Sequence, residues 1–405
     1  MDSSLWLVAC GVGALLVRVG LALYASGMMR AKNSASIMAR YVMDFGLAVL
    51  AFWFLGAAII GAKAGQWIAW PLIANISETS SPFLFFALCA TLIATSIVMG
   101  TVGERSRIFP LSSLGILLAA LVVPIVWRWV WTDGWLGRLG YRDLAGASII
   151  HWVGALCALA AAILVGPRVG KYNRDGSANA IPGHSVSLAS TGILLLLVGW
   201  FPYVLGFLDV DVISGAVPLG RIAMNILLAG ASGAIASLLI SQWKYLKPDI
   251  HLVYTGLFGA LVSISAAADI GSGWVAVVLG AVAGLIIPTA GIMLDLVWRI
   301  DDPTGGIAIH GVGAAWGIIA TGLLAPVGSF LDRLRFLGVQ VLGLIAIAML
   351  TIVFSAALLM LLKRTVGLRS READEYDGLD LAEHDIGAYP DFQQTMIKSY
   401  HLREA

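Results

Sequence analysis

The sequence predicts an all-α membrane protein of eleven transmembrane helices, in which helices one to five and six to ten form an inverted repeat. The first observation behind this prediction is composition. Hydrophobic residues make up 59% of the 405 residues and charged residues only 12%, which is too little charge to cover the surface of a water-soluble protein. The second is that apolar segments of about 18 to 25 residues recur along the chain, a length that spans the hydrocarbon core of a bilayer. We therefore expect a multi-pass protein of the plasma (inner) membrane, surrounded by the lipid bilayer.

Charged residues, prolines and glycines bound the apolar segments in turn. The eleven predicted helices cover residues 4–26, 40–62, 83–102, 109–131, 144–166, 185–207, 219–241, 250–268, 274–297, 305–324 and 336–362. Residues 1–363 thus form the transmembrane domain. Residues 364–405 are charged and lack apolar periodicity, so they are expected to form a cytoplasmic tail.

The distribution of Lys and Arg predicts the orientation of the helices. One set of alternate loops is rich in basic residues, among them Arg30, Arg105, Arg168, Lys244 and Arg299, whereas the other set carries few. Basic loops remain on the cytoplasmic side of a membrane. The N-terminus is therefore expected outside and the C-terminus in the cytoplasm.

Two segments of the chain are nearly the same. Residues 143–155 read DLAGASIIHWVGA and residues 302–314 read DPTGGIAIHGVGA, so that seven of thirteen positions agree. In each copy an Asp precedes a His by eight residues and lies where a helix begins, which makes Asp143 and Asp302 expected N-cap residues. His151 and His310 then fall within the apolar segments.

The two copies enter the membrane from opposite faces, because helix five runs inward and helix ten runs outward. This is the pattern of an inverted repeat, whose axis lies in the membrane plane and brings equivalent positions together. Each His lies about 12 Å beyond its Asp at 1.5 Å per residue, near the bilayer centre. We therefore expect the rings of His151 and His310 to touch.

Three interpretations of the histidine pair remain open on the residues alone. Each His is either a core residue that donates to a carbonyl, a metal or haem ligand, or part of a conduction site. Two His supply too few metal ligands, so no metal and no cofactor are expected. An imidazole both accepts and donates a proton near neutral pH and therefore suits conduction. The sequence contains no pairing of nucleophile and base that indicates an enzyme, and its net charge of +1 gives no indication of nucleic-acid binding.

Two further charges lie within the predicted helices. Arg18 is in the middle of helix one and Asp44 is early in helix two. An unpaired charge in hydrocarbon costs about 3 kcal/mol on insertion scales, so we expect these residues to form a structural ion pair.

The chain resembles the ammonium transporter family (Amt/Mep/Rh) over nearly its entire length. The resemblance is carried, in order, by GMMRAKNSAS, GERSR, DLAGASIIH, KPD, RIDDPTGGIAIHG and the tail segment TVGLRSREADEYDGLDLAEHDIGAYPDF. It implies a homotrimer with one pore per subunit, ammonium or a small amine as substrate, and a PII-type regulatory protein as partner of the tail. By motif, His151 and His310 match the paired histidines of the family. Asp143 matches the acidic residue below its outer vestibule and Trp131 the vestibule tryptophan.

The chain departs from the family at the outer gate. Ala90 lies fourteen residues before Glu104, where the family has a gating Phe, and Tyr203 occupies the position of the second gating Phe. The missing ring predicts a wider entrance, unless Phe86, Phe207 or Tyr203 rebuilds the plug. Trp131, Tyr203 and Phe207 are either an aromatic box that attracts a cation or packing residues. Ammonium transport, ammonium sensing with little flux, and passage of a larger substituted amine all remain hypotheses.

Overall fold

The computed structural model describes residues 3–62, 80–132, 134–208 and 219–390. These residues form helices and loops without an extended β-strand. The main helices are α1 (Ser3–Met28), α2 (Ser34–Ala51, continuing through Phe52–Gly56 to Ala57–Ile60), α3 (Ser81–Val102), α4 (Ile108–Leu117, continuing through Leu118–Val122 to Val123–Val130), α5 (Ala147–Val165), α6 (Val186–Leu205), α7 (Leu219–Tyr245), α8 (Ile250–Ile264), α9 (Gly273–Leu296), α10 (Ala308–Leu324) and α11 (Phe330–Thr365).

Within the described residues, nine helical stretches are long and apolar enough to cross a membrane. Two shorter apolar helices, α8 and α10, lie where the eighth and tenth membrane segments were expected. The all-helical prediction is therefore confirmed, with about nine to eleven apolar helices, and most helix limits agree within a few residues.

The last long helix begins earlier than its apolar run suggests. The structure starts α11 at Phe330, whereas the sequence predicts residue 336. Ser329 and Asp332 form a capping box in which each side chain accepts a hydrogen bond from the backbone N–H of the other. The capping box satisfies backbone N–H groups that would otherwise lack partners, and α11 therefore starts at this cap rather than at the first residue of its apolar run.

The first helices of the two halves of the chain pack closely against each other. A Cβ atom on Gly20 of α1 would lie 2.6 Å from the carbonyl oxygen of Gly192 on α6, and a Cβ on Gly192 would lie 2.6 Å from the oxygen of Gly20. Only glycine allows this separation of the two backbones. The last helices of the two halves, α5 and α10, also pack against each other.

In the part of the chain that the structure describes, four short stretches of the helices are π-helical. Two of them, Phe52–Gly56 in α2 and Leu118–Val122 in α4, pack against each other. The other two, Ala147–Trp152 and Ala308–Val312, open α5 and α10. Such turns widen the helix by one residue and often occur at functional sites.

The beginning of the tail is folded against the loops rather than extended from them. Two short helices, α12 (Glu372–Asp377) and α13 (Leu379–His384), follow α11. The carboxylate of Asp380 accepts hydrogen bonds from the backbone N–H groups of Ala35 (3.1 Å) and Ser36 (2.6 Å), at the start of α2. No sequence pattern predicted this docking. Residues 391–405 of the predicted tail lie outside the described residues.

Candidate functional site

The two repeated histidines lie in contact at the interface of α5 and α10. Nδ1 of His151 is 3.0 Å from Nδ1 of His310, the ring centroids are 5.0 Å apart, and the ring planes differ by 17°. Both residues are buried, with 0% and 1% of their surface exposed. The contact predicted from the repeat is therefore confirmed.

The matching residues of the repeat have matching structural roles. Gly146 and Gly305, each five residues before its His, adopt positive φ angles of 76° and 67°, which favour glycine. The π-helical turn that follows each glycine contains the His. The repeat thus builds the same turn twice and delivers one imidazole from each.

The two aspartates of the repeat cap these turns. The carboxylate of Asp143 accepts hydrogen bonds from the N–H groups of Ala147 (2.9 Å) and Ser148 (2.7 Å), and from the hydroxyl of Ser148 (2.6 Å). Asp302 accepts from the N–H groups of Ile307 (2.8 Å) and Ala308 (3.3 Å). Asp143 is buried, so its carboxylate is held by the helix start rather than by water.

Two aromatic side chains that the sequence did not single out complete the walls around the imidazoles. The ring of Trp200 stacks on His151, with centroids 5.2 Å apart and planes 9° apart. The ring of Phe258 meets His310 edge to face at 4.7 Å. Trp200 lies three residues before Tyr203, on the same face of α6, and this spacing is the signal that was missed. Phe258 has no comparable signal, because it is one apolar residue in an apolar helix.

Tyr203 lies directly beside the histidine pair. Its hydroxyl donates to the carbonyl oxygen of Ala145 at 2.7 Å and lies 3.3 Å from Nε2 of His151. The side chain is fully buried. Tyr203 therefore contributes a polar group to the site, in addition to its ring.

Tyr203 also contacts a cluster of aromatic rings through Phe207. Phe207 contacts Tyr203 (centroids 5.5 Å apart), Trp131 (4.8 Å) and Phe86 (4.8 Å). Trp131 donates from Nε1 to the carbonyl oxygen of Asp143 at 2.8 Å, which ties the cluster to the repeat. Trp127, one turn before Trp131, also contacts Trp131 and Phe207 and was missed by the sequence reasoning. The structure thus brings together Trp131, Tyr203 and Phe207, the residues of the predicted aromatic box.

At the position of the missing gate residue, Ala90 of α3 is fully buried. One turn earlier, Phe86 packs against Gly206, where a Cβ atom would lie 2.2 Å from the Phe86 ring. Phe86 thus contacts Phe207 one turn from the buried Ala90, and the wider entrance stays a prediction.

A small cavity lies on the opposite side of the pair, next to His310. It is lined by Leu21, Tyr24, Ala25, Tyr41, Ser96, Ile97, Gly100, Phe258, Thr304, Gly306 and His310. Most of its wall is apolar side chain, so it suits a small uncharged solute better than a hydrated ion.

The predicted ion pair lies behind this wall. Arg18 Nη2 is 2.9 Å from Asp44 Oδ2, which confirms the pairing. The guanidinium also donates to Ser96 Oγ (2.9 Å) and to the carbonyl oxygen of Tyr41 (2.6 Å), two residues that line the cavity. The pair therefore joins α1, α2 and α3 where they form the wall.

The fold is that of a helical membrane protein, and the site pairs two buried histidines between the two halves of the chain. Both features are those of a membrane transporter. A model of the Ammonium Transporter Family matches residues 5–389. The chain belongs to the ammonium transporter family, whose members are membrane transporters and not enzymes.

Named relatives agree with this assignment. Ammonium transporter Amt2 of Archaeoglobus fulgidus is 33% identical, with 96% of this chain and 88% of that protein covered. Ammonium transporter Amt1 of Haloferax mediterranei is 32% identical, with 96% and 79% covered. The solved structure of a "Sensor Amt Protein" has a TM-score of 0.88 at 29% identity, covering 94% of this chain and 98% of that chain. Mep2 of Saccharomyces cerevisiae shares the fold, with a TM-score of 0.79 at 24% identity and 91% and 90% covered.

Proposed function

We propose that this protein transports ammonium across the membrane through a pore whose central site is the pair of His151 and His310. The observation that carries the proposal is the 3.0 Å contact between the two Nδ1 atoms at a buried junction of α5 and α10. A pair of neutral imidazoles shares one proton across this contact and offers further ring nitrogens for proton transfer. The relatives named as ammonium transporters support the choice of substrate.

In this proposal the aromatic cluster is the entrance. The faces of Trp131 and Phe207 attract a monovalent cation, and the backbone around Asp143 orients it. Passage toward the buried histidines removes water from the cation, which disfavours its charge, and the cation then gives a proton to an unprotonated ring nitrogen of the pair. Neutral ammonia then crosses the apolar cavity beside His310.

The proposal includes the wider architecture. The two halves form an inverted repeat of eleven transmembrane helices, with the N-terminus outside and the tail in the cytoplasm. The protein resides in the plasma (inner) membrane as a homotrimer with one pore per subunit. The docked tail is the expected binding surface for a PII-type regulatory protein.

A reconstituted system tests the central claim. Purified protein in liposomes should take up labelled methylammonium and produce an ammonium-dependent current or internal pH change. His151→Ala and His310→Ala should each reduce the rate by about a hundredfold or more, the range in which proton-transferring groups contribute. His251→Ala is the matched control, because His251 lies at the start of α8 and contacts Tyr254 rather than the pair. If His151→Ala and His310→Ala transported as fast as His251→Ala and wild type, a role for the histidine pair would be refuted.

A second function has its own support. The Tyr203 hydroxyl lies beside His151, and the Tyr203 ring contacts Phe207, which in turn contacts Phe86 and Trp131. Together with the similarity to a "Sensor Amt Protein", this arrangement supports ammonium binding with little flux. Saturable ammonium binding to the purified protein, without uptake in liposomes, would favour the sensor. Passage of a larger amine has less support, since Ala90 is buried.

A further inference from the structure

We propose that Tyr203 is a positioning residue that fixes the tautomers of both histidines, so that His151 carries its proton on Nε2 and His310 carries its proton on Nδ1. The inference deepens the proposed function, because it concerns the direction in which the same pair accepts a proton. It depends on Tyr203, a residue at which this chain departs from the family pattern.

The first step is the single proton of the Tyr203 hydroxyl. The carbonyl oxygen of Ala145 accepts hydrogen bonds and cannot donate one, and it lies at the short distance of 2.7 Å. The hydroxyl proton is therefore directed to Ala145. The Tyr203 oxygen is left as an acceptor for His151 Nε2, which lies at 3.3 Å and must then carry the hydrogen.

The second step passes this assignment along the pair. A neutral imidazole protonated on Nε2 has an unprotonated Nδ1. The 3.0 Å contact between the two Nδ1 atoms then requires His310 to be the donor. His310 in turn has its free lone pair on Nε2.

The third step concerns where that lone pair lies. His310 lines the inner cavity. Among the hydrogen bonds of the described residues, the one that the His310 ring forms uses Nδ1 and not Nε2. The nitrogen of the pair that is free to accept a proton is thus Nε2 of His310, on the cavity side. On the other side the pair ends at the Tyr203 hydroxyl, whose single proton is already donated in the hydrogen bond to Ala145. Tyr203 therefore closes one end of the proton path.

The alternative arrangement reverses every step. If the hydroxyl donated to His151 Nε2, His151 would carry its proton on Nδ1 and His310 on Nε2. The two arrangements differ in the protonation of each of the four ring nitrogens, so a spectroscopic measurement separates them without reference to transport.

Solid-state ¹⁵N NMR of histidine-labelled protein in liposomes is the test. The chain has 6 histidines, and replacing His184, His251, His384 and His401 by Gln leaves only the signals of the pair. ¹³C-labelled tryptophan identifies His151 through the Trp200 ring stacked on it. At a pH where both imidazoles are neutral, His151 should show a protonated Nε2 and His310 a protonated Nδ1. In the wild-type chain the tryptophan label singles out His151 alone, and protonation of its Nδ1 rather than its Nε2 would overturn the inference even if no variant could be purified.

The Tyr203→Phe variant supplies the second measurement. It removes the hydroxyl and retains the ring, so the tautomer ratio should shift toward equality by about fivefold, the factor that one ordinary hydrogen bond supplies. Tyr254→Phe is the control, because the Tyr254 hydroxyl contacts Ser190 and not the pair. An unchanged ratio in Tyr203→Phe would refute the positioning role. If the wild-type protein shows the expected tautomers but no uptake of ammonium, the proposed transport fails and this inference stands.

Discussion

Arg168 and Asp301 form a bidentate ion pair between the loop that follows α5 and the loop that precedes α10. Nε and Nη2 of Arg168 each donate to one carboxylate oxygen of Asp301 at 2.9 Å. Nη1 of Arg168 donates to Glu104 at 2.8 Å, and all three side chains are buried. Because the neighbouring Asp302 caps the turn that contains His310, this pair fixes the base of the site in both halves of the chain.

The first prediction concerns the pH dependence of this pair. Burial raises the pKa of Asp301, but Arg168 and Arg105 outweigh it and lower the pKa to about 2, below the ordinary 3.8. A lowered native pKa stabilises the fold above pH 3.8, and the contribution is lost as the pH falls toward 2. Asp301→Asn should therefore reduce the free energy of unfolding by about 2 kcal/mol at pH 7.

Thermal unfolding in detergent measures this effect between pH 7 and pH 3. The difference between wild type and Asp301→Asn should narrow only below about pH 4. Asp385→Asn is the control, since Asp385 is exposed and its left-handed backbone (φ 54°) suits Asn. A difference that stays constant over the whole range would show that the charge of Asp301 contributes nothing to the pair.

The second prediction compares the two caps of the repeat. Asp143 is buried and accepts three hydrogen bonds, whereas Asp302 is half-buried and accepts two, one of them at 3.3 Å. Asp143→Ala should cost about 2 kcal/mol or more of stability and Asp302→Ala about 1 kcal/mol. Asp143→Asn should lie between wild type and Asp143→Ala. Melting temperatures and uptake rates should rank the variants in this order, and a larger effect at Asp302 would contradict it.

The long helices and the histidine contact are predictable from the sequence because apolar length and a repeated motif can both be read along the chain without knowing which helices pack together. An apolar run is long enough to cross a bilayer whatever it packs against, and a repeat with inverted entry places His151 opposite His310. The ion pair of Arg18 and Asp44 is predictable because a lone charge in hydrocarbon requires a partner.

The remaining features depend on contacts between distant segments. Phe258 lies in an apolar helix in which no periodicity marks the face that meets the histidines, and Trp200 is marked only by its spacing to Tyr203. Phe86 packs close to Gly206 only because a residue without a side chain leaves room for its ring. The docking of Asp380 on the start of α2 likewise requires the three-dimensional positions of both elements.

The third prediction concerns the ion pair of Arg18 and Asp44. Replacing Arg18 by Met, or Asp44 by Leu, leaves one buried charge without its partner and should lower stability by about 3 to 5 kcal/mol. The double replacement removes both charges and should recover much of that loss. Expression level and melting temperature of the four proteins in detergent give the double-mutant cycle. Additive losses in the double variant would mean that the two charges do not interact.

The fourth prediction concerns the docked tail. Both Nη atoms of Arg40 donate to the Glu383 carboxylate at 2.9 Å. Glu383→Gln should loosen α13, which limited proteolysis and hydrogen exchange of residues 379–384 would detect. Glu372→Gln is the control, because Glu372 lies exposed in the neighbouring α12. Unchanged protection in Glu383→Gln would show that the other contacts of the tail, such as those of Asp380 with α2 and of Leu379 with Asn33, hold it in place without the Arg40 pair.

The last prediction concerns the aromatic cluster at the entrance. Because Ala90 is fully buried, Ala90→Phe must displace its neighbours and should destabilise the protein by about 1 to 3 kcal/mol rather than restore a gate. Phe86→Ala removes the ring that contacts Phe207 and should instead open the entrance. In liposomes that transport ammonium, Phe86→Ala should therefore increase the uptake of a bulky methylated amine relative to ammonium.

Phe109→Ala is the matched control, since Phe109 is 62% exposed on the outside of α4 and does not contact the cluster. It should leave both the melting temperature and the amine preference close to those of wild type. A stable Ala90→Phe variant with sharper discrimination against the bulky amine would mean that space beside Ala90 remains open to a ring. An unchanged preference in Phe86→Ala would show that Trp131, Tyr203 and Phe207 select the substrate without the Phe86 ring, and that Phe86 only packs against Gly206.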